Sequence, residues 1–270
     1  MCNCLPCAQV VIFSFEPSLS VSTCEVRWIE SAKMPIRIAA SAASDTPKRR
    51  FGLRIRNEIG FPNKTCKCQD AQVAIGGFSA GGIGAVRYAQ FCMKGKRKAK
   101  SPVAVFAVDS PLDYERWFVA AELHLKRLAL AGRDLAEDRN AVNELRKAFG
   151  GSPTEALETY RRQSPVSTLV ADGGNARLLK DTPIRLYIEP DLKWRLENWD
   201  QDIYNSNMPD ATALINILRL LGNKDAELIT TAGAGYRPDG SRNPHSWSIV
   251  DERALAQWLI ALLRTPNSVK

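Results

Sequence analysis

The sequence predicts an α/β protein built on a mostly parallel sheet with helices on both faces. An apolar run at 72–77 passes through a glycine-rich turn into a helical pattern at 80–93. The run at 103–108 is apolar throughout, which is typical of a central parallel strand covered on both faces. Strand patterns at 184–188 and 226–231 then alternate with helical patterns, as the connections of a parallel sheet require.

The composition is that of a globular protein with one large domain. The chain has 270 residues, of which 45% are hydrophobic and 24% charged, and no apolar run is long enough to span a membrane. Much of the net charge of +8 lies in two basic runs, at 48–56 and 94–100. These runs lack the regularly spaced aromatic residues of a nucleic-acid platform, so we interpret them as solvated segments and predict no nucleic-acid partner.

The N-terminal segment 1–45 has an atypical pattern, and the main domain is predicted over 46–270. None of the seven cysteines lies after Cys92, and one pair, Cys4 and Cys7, has the spacing of zinc ligands. We favour free thiols over a metal site. No convincing signal peptide is present, so the default location is cytoplasmic.

The turn Gly77-Phe78-Ser79-Ala80-Gly81 matches the G-x-S-x-G pattern of a nucleophile elbow. Small flanking residues allow a strand and a helix to meet closely, so that the serine hydroxyl projects from the sheet edge. The amide of Ala80 would then face a developing oxyanion. The alternatives are a turn that only packs closely and a phosphate cradle; a dinucleotide site is disfavoured because Arg87 replaces the third glycine.

A serine nucleophile needs a base, and the chain has two histidines. His245 follows the last strand pattern and precedes the last helix, which places it at the same sheet edge as Ser79. His124 lies in a helical pattern beside charged residues. We therefore predict that His245 is the base and that His124 is a surface helix residue.

The base in turn needs a carboxylate, and three candidates follow predicted strands. Asp191 is preferred because it lies far enough beyond the strand at 184–188 to turn back toward a histidine loop. Glu189 is the alternative acid, and Asp109, at the end of the strand at 103–108, is the third candidate.

Residues 111–172 interrupt the alternation of strands and helices. They contain three consecutive helical patterns and several large apolar side chains. We predict a helical insertion that covers the active site as a lid.

From about residue 46 to 265, the chain resembles α/β-hydrolases of the esterase and serine-peptidase type. The resemblance lies in Gly-Gly-Phe-Ser79-Ala-Gly-Gly, in the helical insertion and in Pro-His245-Ser-Trp. It implies acyl transfer by a Ser/Asp/His triad through an acyl-enzyme, with no cofactor and with a small ester or peptide as substrate. Members of this family are often exported.

The N-terminal part departs from the pattern of that family. A second oxyanion donor normally comes from a loop after an early strand, and residues 1–65 contain no such motif. Either this segment is unusual, or the chain is a shortened or mis-joined homologue in which N-terminal strands are missing. The alternative function is that of a catalytically inactive or truncated α/β-hydrolase-like protein.

Overall fold

A computed structural model describes residues 8–13, 37–39, 72–94 and 101–264. Within them, six strands form one sheet in the order β2-β1-β3-β4-β5-β6, and every neighbouring pair is parallel. The strands are β1 Ala8–Phe13, β2 Arg37–Ala39, β3 Gln72–Phe78, β4 Ala104–Val108, β5 Ile184–Ile188 and β6 Ala226–Thr230. The predicted parallel α/β architecture is confirmed.

Helices connect and flank these strands. They are α1 Ala80–Met93, α2 Tyr114–Leu130, α3 Ala136–Phe149, α4 Pro153–Gln163, α5 Leu192–Trp199, α6 Met208–Leu220 and α7 Glu252–Arg264. Short 3-10 helices lie at Gly174–Leu179, Ile203–Asn205 and Trp247–Ile249. The sequence patterns predicted every α-helix of this set except α5. Among the helices in the described part of the chain, none combines the length and the apolar character that crossing a bilayer requires.

Strand β4 lies between two apolar layers, as its continuous apolar run predicts. Val105 and Ala107 face the layer that contains side chains of α1 and α6. Phe106 and Val108 face the opposite layer, which contains side chains of α7. All five β4 residues are buried, and each large side chain contributes about 1.5–3 kcal/mol by leaving water. This packing fixes the carboxyl end of β4 beside that of β3.

The expectation that N-terminal strands are missing is not confirmed. Strand β1 pairs with β3, with Val11 opposite Ile75 and Phe13 opposite Gly77, and β2 pairs with the other side of β1. Both strands come from the segment 1–45, whose boundary with the main domain stays a prediction. The basic run at 48–56, most of the run at 94–100 and all cysteines except Cys92 lie outside the described residues.

Helices α2, α3 and α4 form the predicted helical insertion and share an apolar core. The ring of Tyr160 lies 5.7 Å from that of Phe118 and 4.8 Å from that of Phe149, both in edge-on geometry. Gly150 ends α3 in a left-handed conformation, with φ 87°, where glycine is favoured. The helices of the insertion are therefore confirmed, whereas its role as a lid stays a prediction.

Candidate active site

Ser79 occupies a strained turn between β3 and α1. Its backbone has φ 52° and ψ −123°, a conformation that is rare for residues other than glycine. Its amide donates a hydrogen bond of 2.8 Å to the carbonyl of Val108, so the turn is fixed to the end of β4. Such a conformation costs on the order of 1–3 kcal/mol and persists because the surrounding structure imposes it.

The glycines next to the turn allow close contacts, within the sheet at Gly76 and between α1 and the sheet at Gly82. A Cβ added to Gly76 would overlap the ring of Phe106. A Cβ added to Gly82 would overlap the hydroxyl of Ser110 and lie 2.8 Å from the Cβ of Ala107. Helix α1 therefore packs directly on β4, which is the close approach that the glycine-rich motif predicts.

His245 lies beside Ser79, as the sequence predicts. Its Nε2 is 3.2 Å from the Ser79 hydroxyl oxygen, and its ring centroid is 4.7 Å from that of Phe78. The His245 amide donates to the side-chain oxygen of Asn243 at 2.9 Å, which fixes the loop that carries the imidazole. The side chain is 30% exposed, so the ring is accessible to solvent.

The carboxylate that contacts His245 belongs to Asp109. Its Oδ2 lies 2.8 Å from His245 Nδ1, and its side chain is completely buried. Asp109 follows β4 directly and has φ 40°, a second strained position at this edge of the sheet. The preferred sequence prediction, Asp191, and the alternative, Glu189, are therefore corrected in favour of the third candidate.

Asp191 and Glu189 are engaged elsewhere. Asp191 caps α5, where its Oδ1 accepts a hydrogen bond of 3.2 Å from the Trp194 amide, and its Oδ2 pairs with Arg242. Glu189 also pairs with Arg242, and its Oε2 accepts from the amide of Ala234 at 2.8 Å. Both carboxylates thus hold the loop that leads to His245.

The sequence made Asp109 a candidate, because it directly follows a predicted strand, but the choice between Asp109 and Asp191 depends on the strand order. Strand β4 is the direct neighbour of β3, whereas β5 lies one strand farther away. An acidic residue at the end of the neighbouring strand therefore lies beside the serine turn without an intervening loop. Asp191 is preferred from the sequence because its distance beyond β5 would let it turn back toward the loop of His245. Asp109 needs no such turn, because β4 is adjacent to β3.

Opposing effects act on the pKa of Asp109. Burial alone would raise it, but His245, Arg195 and an Asn207 hydrogen bond outweigh burial and hold the pKa below its usual value. The carboxylate is therefore ionised near neutral pH. An ionised carboxylate at Nδ1 favours the tautomer with its proton on Nδ1, which leaves Nε2 free to accept the Ser79 proton.

Ala80, the predicted oxyanion donor, is the first residue of α1. Its amide N–H therefore has no acceptor within the helix. Its role as a donor stays a prediction. Within the described residues, no group of three or more His, Cys, Asp or Glu side chains is arranged to hold a metal ion.

His124 differs from its sequence prediction, because it is buried rather than on the surface. It is 1% exposed, and its Nδ1 lies 2.6 Å from Oδ2 of Asp138 on α3. Ala121 and Leu128 lie on the same buried face of α2, three residues before and four residues after it. That apolar spacing was the available signal, and the charged neighbours in sequence obscured it.

Comparisons with known proteins gave similar structures only. No protein-family profile matches the chain. No curated protein sequence matches it either. An acylaminoacyl peptidase from Pyrococcus horikoshii is 14% identical, with a TM-score of 0.42, over 73% of this chain and 25% of its own. An esterase of the bacterial hormone-sensitive lipase family is 17% identical, with a TM-score of 0.37, over 71% of this chain and 52% of its own.

Carboxyl esterase 2 from the mycorrhizal fungus Tuber melanosporum is 16% identical, with a TM-score of 0.38, over 71% of this chain and 52% of its own. The chain thus spans about a quarter of the length of the peptidase and about half that of the esterases. The fold class follows from the strand order and the site from the contacts, and neither depends on these similarities. The structure contains the parallel sheet and the serine turn between β3 and α1 that the resemblance to the α/β-hydrolases implies.

Proposed function

We propose that this protein is a serine hydrolase that cleaves a carboxylic ester or amide with a triad of Ser79, His245 and Asp109. One observation carries the proposal: the continuous line of contacts from the Ser79 hydroxyl through both nitrogens of His245 to Asp109. Acyl transfer requires a nucleophile in contact with a base and a carboxylate that orients the base, which is the order of these contacts.

The reaction divides into two acyl transfers. His245 Nε2 takes the Ser79 proton as the serine oxygen attacks the carbonyl carbon, and the resulting imidazolium is stabilised by Asp109. The tetrahedral intermediate then expels the alcohol or amine, which leaves with the proton from His245. Water, deprotonated by the same imidazole, then attacks the carbonyl carbon of the acyl-serine, and the acid is released as His245 returns the proton to the Ser79 oxygen. The Ala80 amide is the proposed donor to the oxyanion in both steps.

The proposed substrate is a small ester or peptide, bound under the helical insertion. Helix α2 begins five residues after Asp109, so the insertion leaves the sheet at the edge where Ser79 lies. Its start is fixed by the buried carboxylate of Asp210, which accepts from the amides of Leu112 at 2.9 Å and Asp113 at 3.0 Å and pairs with Arg116. These contacts support the proposal that the insertion forms one wall of the substrate site.

Hydrolysis of short p-nitrophenyl esters tests the function. We expect turnover by the protein and its loss in Ser79→Ala, with an unchanged unfolding transition. Ser241→Ala is the matched control, because Ser241 is an exposed serine in the Asp239 turn and should keep full activity. Equal turnover in Ser79→Ala and Ser241→Ala would exclude Ser79 as the nucleophile.

A further inference from the structure

Among the described residues, two side chains besides His245 contact the Asp109 carboxylate. Asn207 Nδ2 donates to Asp109 Oδ1 at 2.8 Å and to the Asp109 carbonyl oxygen at 2.9 Å. The guanidinium NH2 of Arg195 lies 3.4 Å from Asp109 Oδ2. Asn207 comes from the start of α6 and Arg195 from α5, so both are far from Asp109 in sequence.

Asn207 uses its side chain for Asp109 rather than for its own helix. It occupies the N-cap position of α6, where asparagine usually accepts a backbone N–H, yet it forms no such bond. Its amide instead holds both the carboxylate and the main chain of Asp109, whose φ of 40° needs support. With Oδ1 occupied by Asn207, Oδ2 is left to face His245.

Arg195 is a buried cation in a prepared environment. The residue is 3% exposed, and its guanidinium donates to the Pro190 carbonyl at 3.2 Å and to the Gln201 side chain at 3.4 Å. The guanidinium also lies 5.3 Å from the centroid of the Trp199 ring. These neutral partners fix the orientation of the guanidinium, while its charge is paired with Asp109.

Arg195 and His245 share one carboxylate oxygen. Because both contact Asp109 Oδ2, the Arg195 NH2 and His245 Nδ1 lie no farther apart than about 6 Å, where two positive charges repel appreciably. Of the other charged groups in the adjoining loops, Glu189 and Asp191 both pair with Arg242. The guanidinium therefore opposes protonation of the imidazole, whereas Asp109 favours it.

We propose that Asn207 and Arg195 are positioning residues of the triad: Asn207 fixes the orientation of Asp109, and the positive charge of Arg195 offsets part of the negative charge of the Asp109 oxygen that faces His245. This inference rests on the proposed hydrolase function. It assigns separate effects to the two residues, one on the rate and the other on the pH dependence.

The test measures the titration of His245 by NMR, together with the pH dependence of kcat/KM for p-nitrophenyl acetate. The chain has two histidines, so the His245→Gln variant identifies the His245 ring signal by its absence. The variants are Arg195→Met, Arg195→Lys, which keeps the cation, and Asn207→Ala. Thermal unfolding shows whether each variant folds, and Arg195→Gln replaces Arg195→Met if that variant does not.

In Arg195→Met, the titration midpoint of His245 and the acid limb of kcat/KM should both move upward by about one pH unit. Arg195→Lys should move them by less than half as much. Asn207→Ala should lower kcat by about 10- to 100-fold, with little change in KM or in the midpoint, because a misplaced carboxylate orients the imidazole poorly.

If the titration midpoint of His245 is unchanged or lower in a folded Arg195→Met or Arg195→Gln variant, the proposed role of Arg195 is wrong. An unchanged kcat in Asn207→Ala would overturn the role of Asn207. The NMR titration needs no turnover, so it separates the two proposals. If the midpoint moves in a protein that hydrolyses no ester, the coupling stands and the proposed function fails; if esters are hydrolysed but the midpoint stays, only the present inference fails.

Discussion

The protein contains two histidine–aspartate pairs, one at the sheet edge and one inside the helical insertion. His245 Nδ1 lies 2.8 Å from Asp109, and His124 Nδ1 lies 2.6 Å from Asp138. At the sheet edge, the other ring nitrogen faces Ser79 and the side chain is 30% exposed. In the insertion, the side chain is 2% exposed, and its Nε2 has no hydrogen-bond partner among the described residues.

The two pairs differ in what surrounds the second ring nitrogen of each histidine. His245 lies in a loop at the carboxyl end of a parallel sheet, where a hydroxyl and solvent are both within reach. His124 lies within α2, on the face that packs against α3. We therefore interpret the His124–Asp138 pair as a link between helices and the His245–Asp109 pair as part of a site.

The largest predicted effect is the difference in activity between His245→Gln and His124→Gln. His245→Gln removes the base, and kcat/KM for p-nitrophenyl acetate should fall by about 10⁴-fold. His124→Gln removes no group from the site, so kcat/KM should stay within about threefold of the wild-type value. The measurement is steady-state kinetics at a temperature where both variants are folded. Comparable losses in the two folded variants would remove the distinction between the pairs.

The acid is tested by Asp109→Asn, with Asp191→Asn as its matched control. Asp109→Asn should lower kcat/KM by about 10³- to 10⁴-fold, because an amide does not stabilise the imidazolium and favours the wrong tautomer. Asp191→Asn keeps an acceptor for the cap of α5 and removes the negative charge that pairs with Arg242, and its activity should fall by less than about tenfold. If kcat/KM falls more in Asp191→Asn than in Asp109→Asn, the acid is Asp191, as preferred from the sequence.

The two aspartates should also show opposite pH effects on stability. The pKa of Asp109 lies below its usual value, whereas burial raises the pKa of Asp138 against the lowering effect of His124. A depressed pKa adds stability above the unfolded value of about 3.9, and this contribution is lost as the pH falls through the folded value. A raised pKa adds stability at low pH, and this contribution is lost as the pH rises through the folded value.

Thermal unfolding between about pH 3 and pH 7 checks this prediction. As the pH falls, the difference in Tm between wild type and Asp109→Asn should narrow, while the loss of stability in Asp138→Asn should grow. Parallel pH profiles for the two variants would contradict the assigned directions of the pKa shifts.

Regular patterns in the sequence predicted most of the fold, because burial on two faces leaves a clear signature. The β4 run and the serine turn are examples: alternate β4 residues pack on opposite helical layers, and Gly82 leaves the space that Ser110 fills. Contacts between distant residues were harder to predict. The position of Asp109 beside His245 depends on the strand order, and the burial of His124 depends on how α3 packs against α2.

Helix α5 was also hard to predict from the sequence. With eight residues and exposed leucines at 192 and 196, it has no long apolar stripe that would identify it as a helix. Its N-cap is Asp191, which explains why that carboxylate is directed to the helix rather than to His245. Arg195 also lies on α5, so its contact with Asp109 was equally hidden from the sequence.

Labelling with a fluorophosphonate probe tests the triad most directly, because the probe reacts with an activated serine and mass spectrometry locates the modified residue. We expect labelling of Ser79 in the wild-type protein and in His124→Gln, with labelling lost in His245→Gln and slowed about 10³-fold in Asp109→Asn. Folded wild-type protein with Ser79 unlabelled, or equal labelling rates in wild type and His245→Gln, would contradict this expectation.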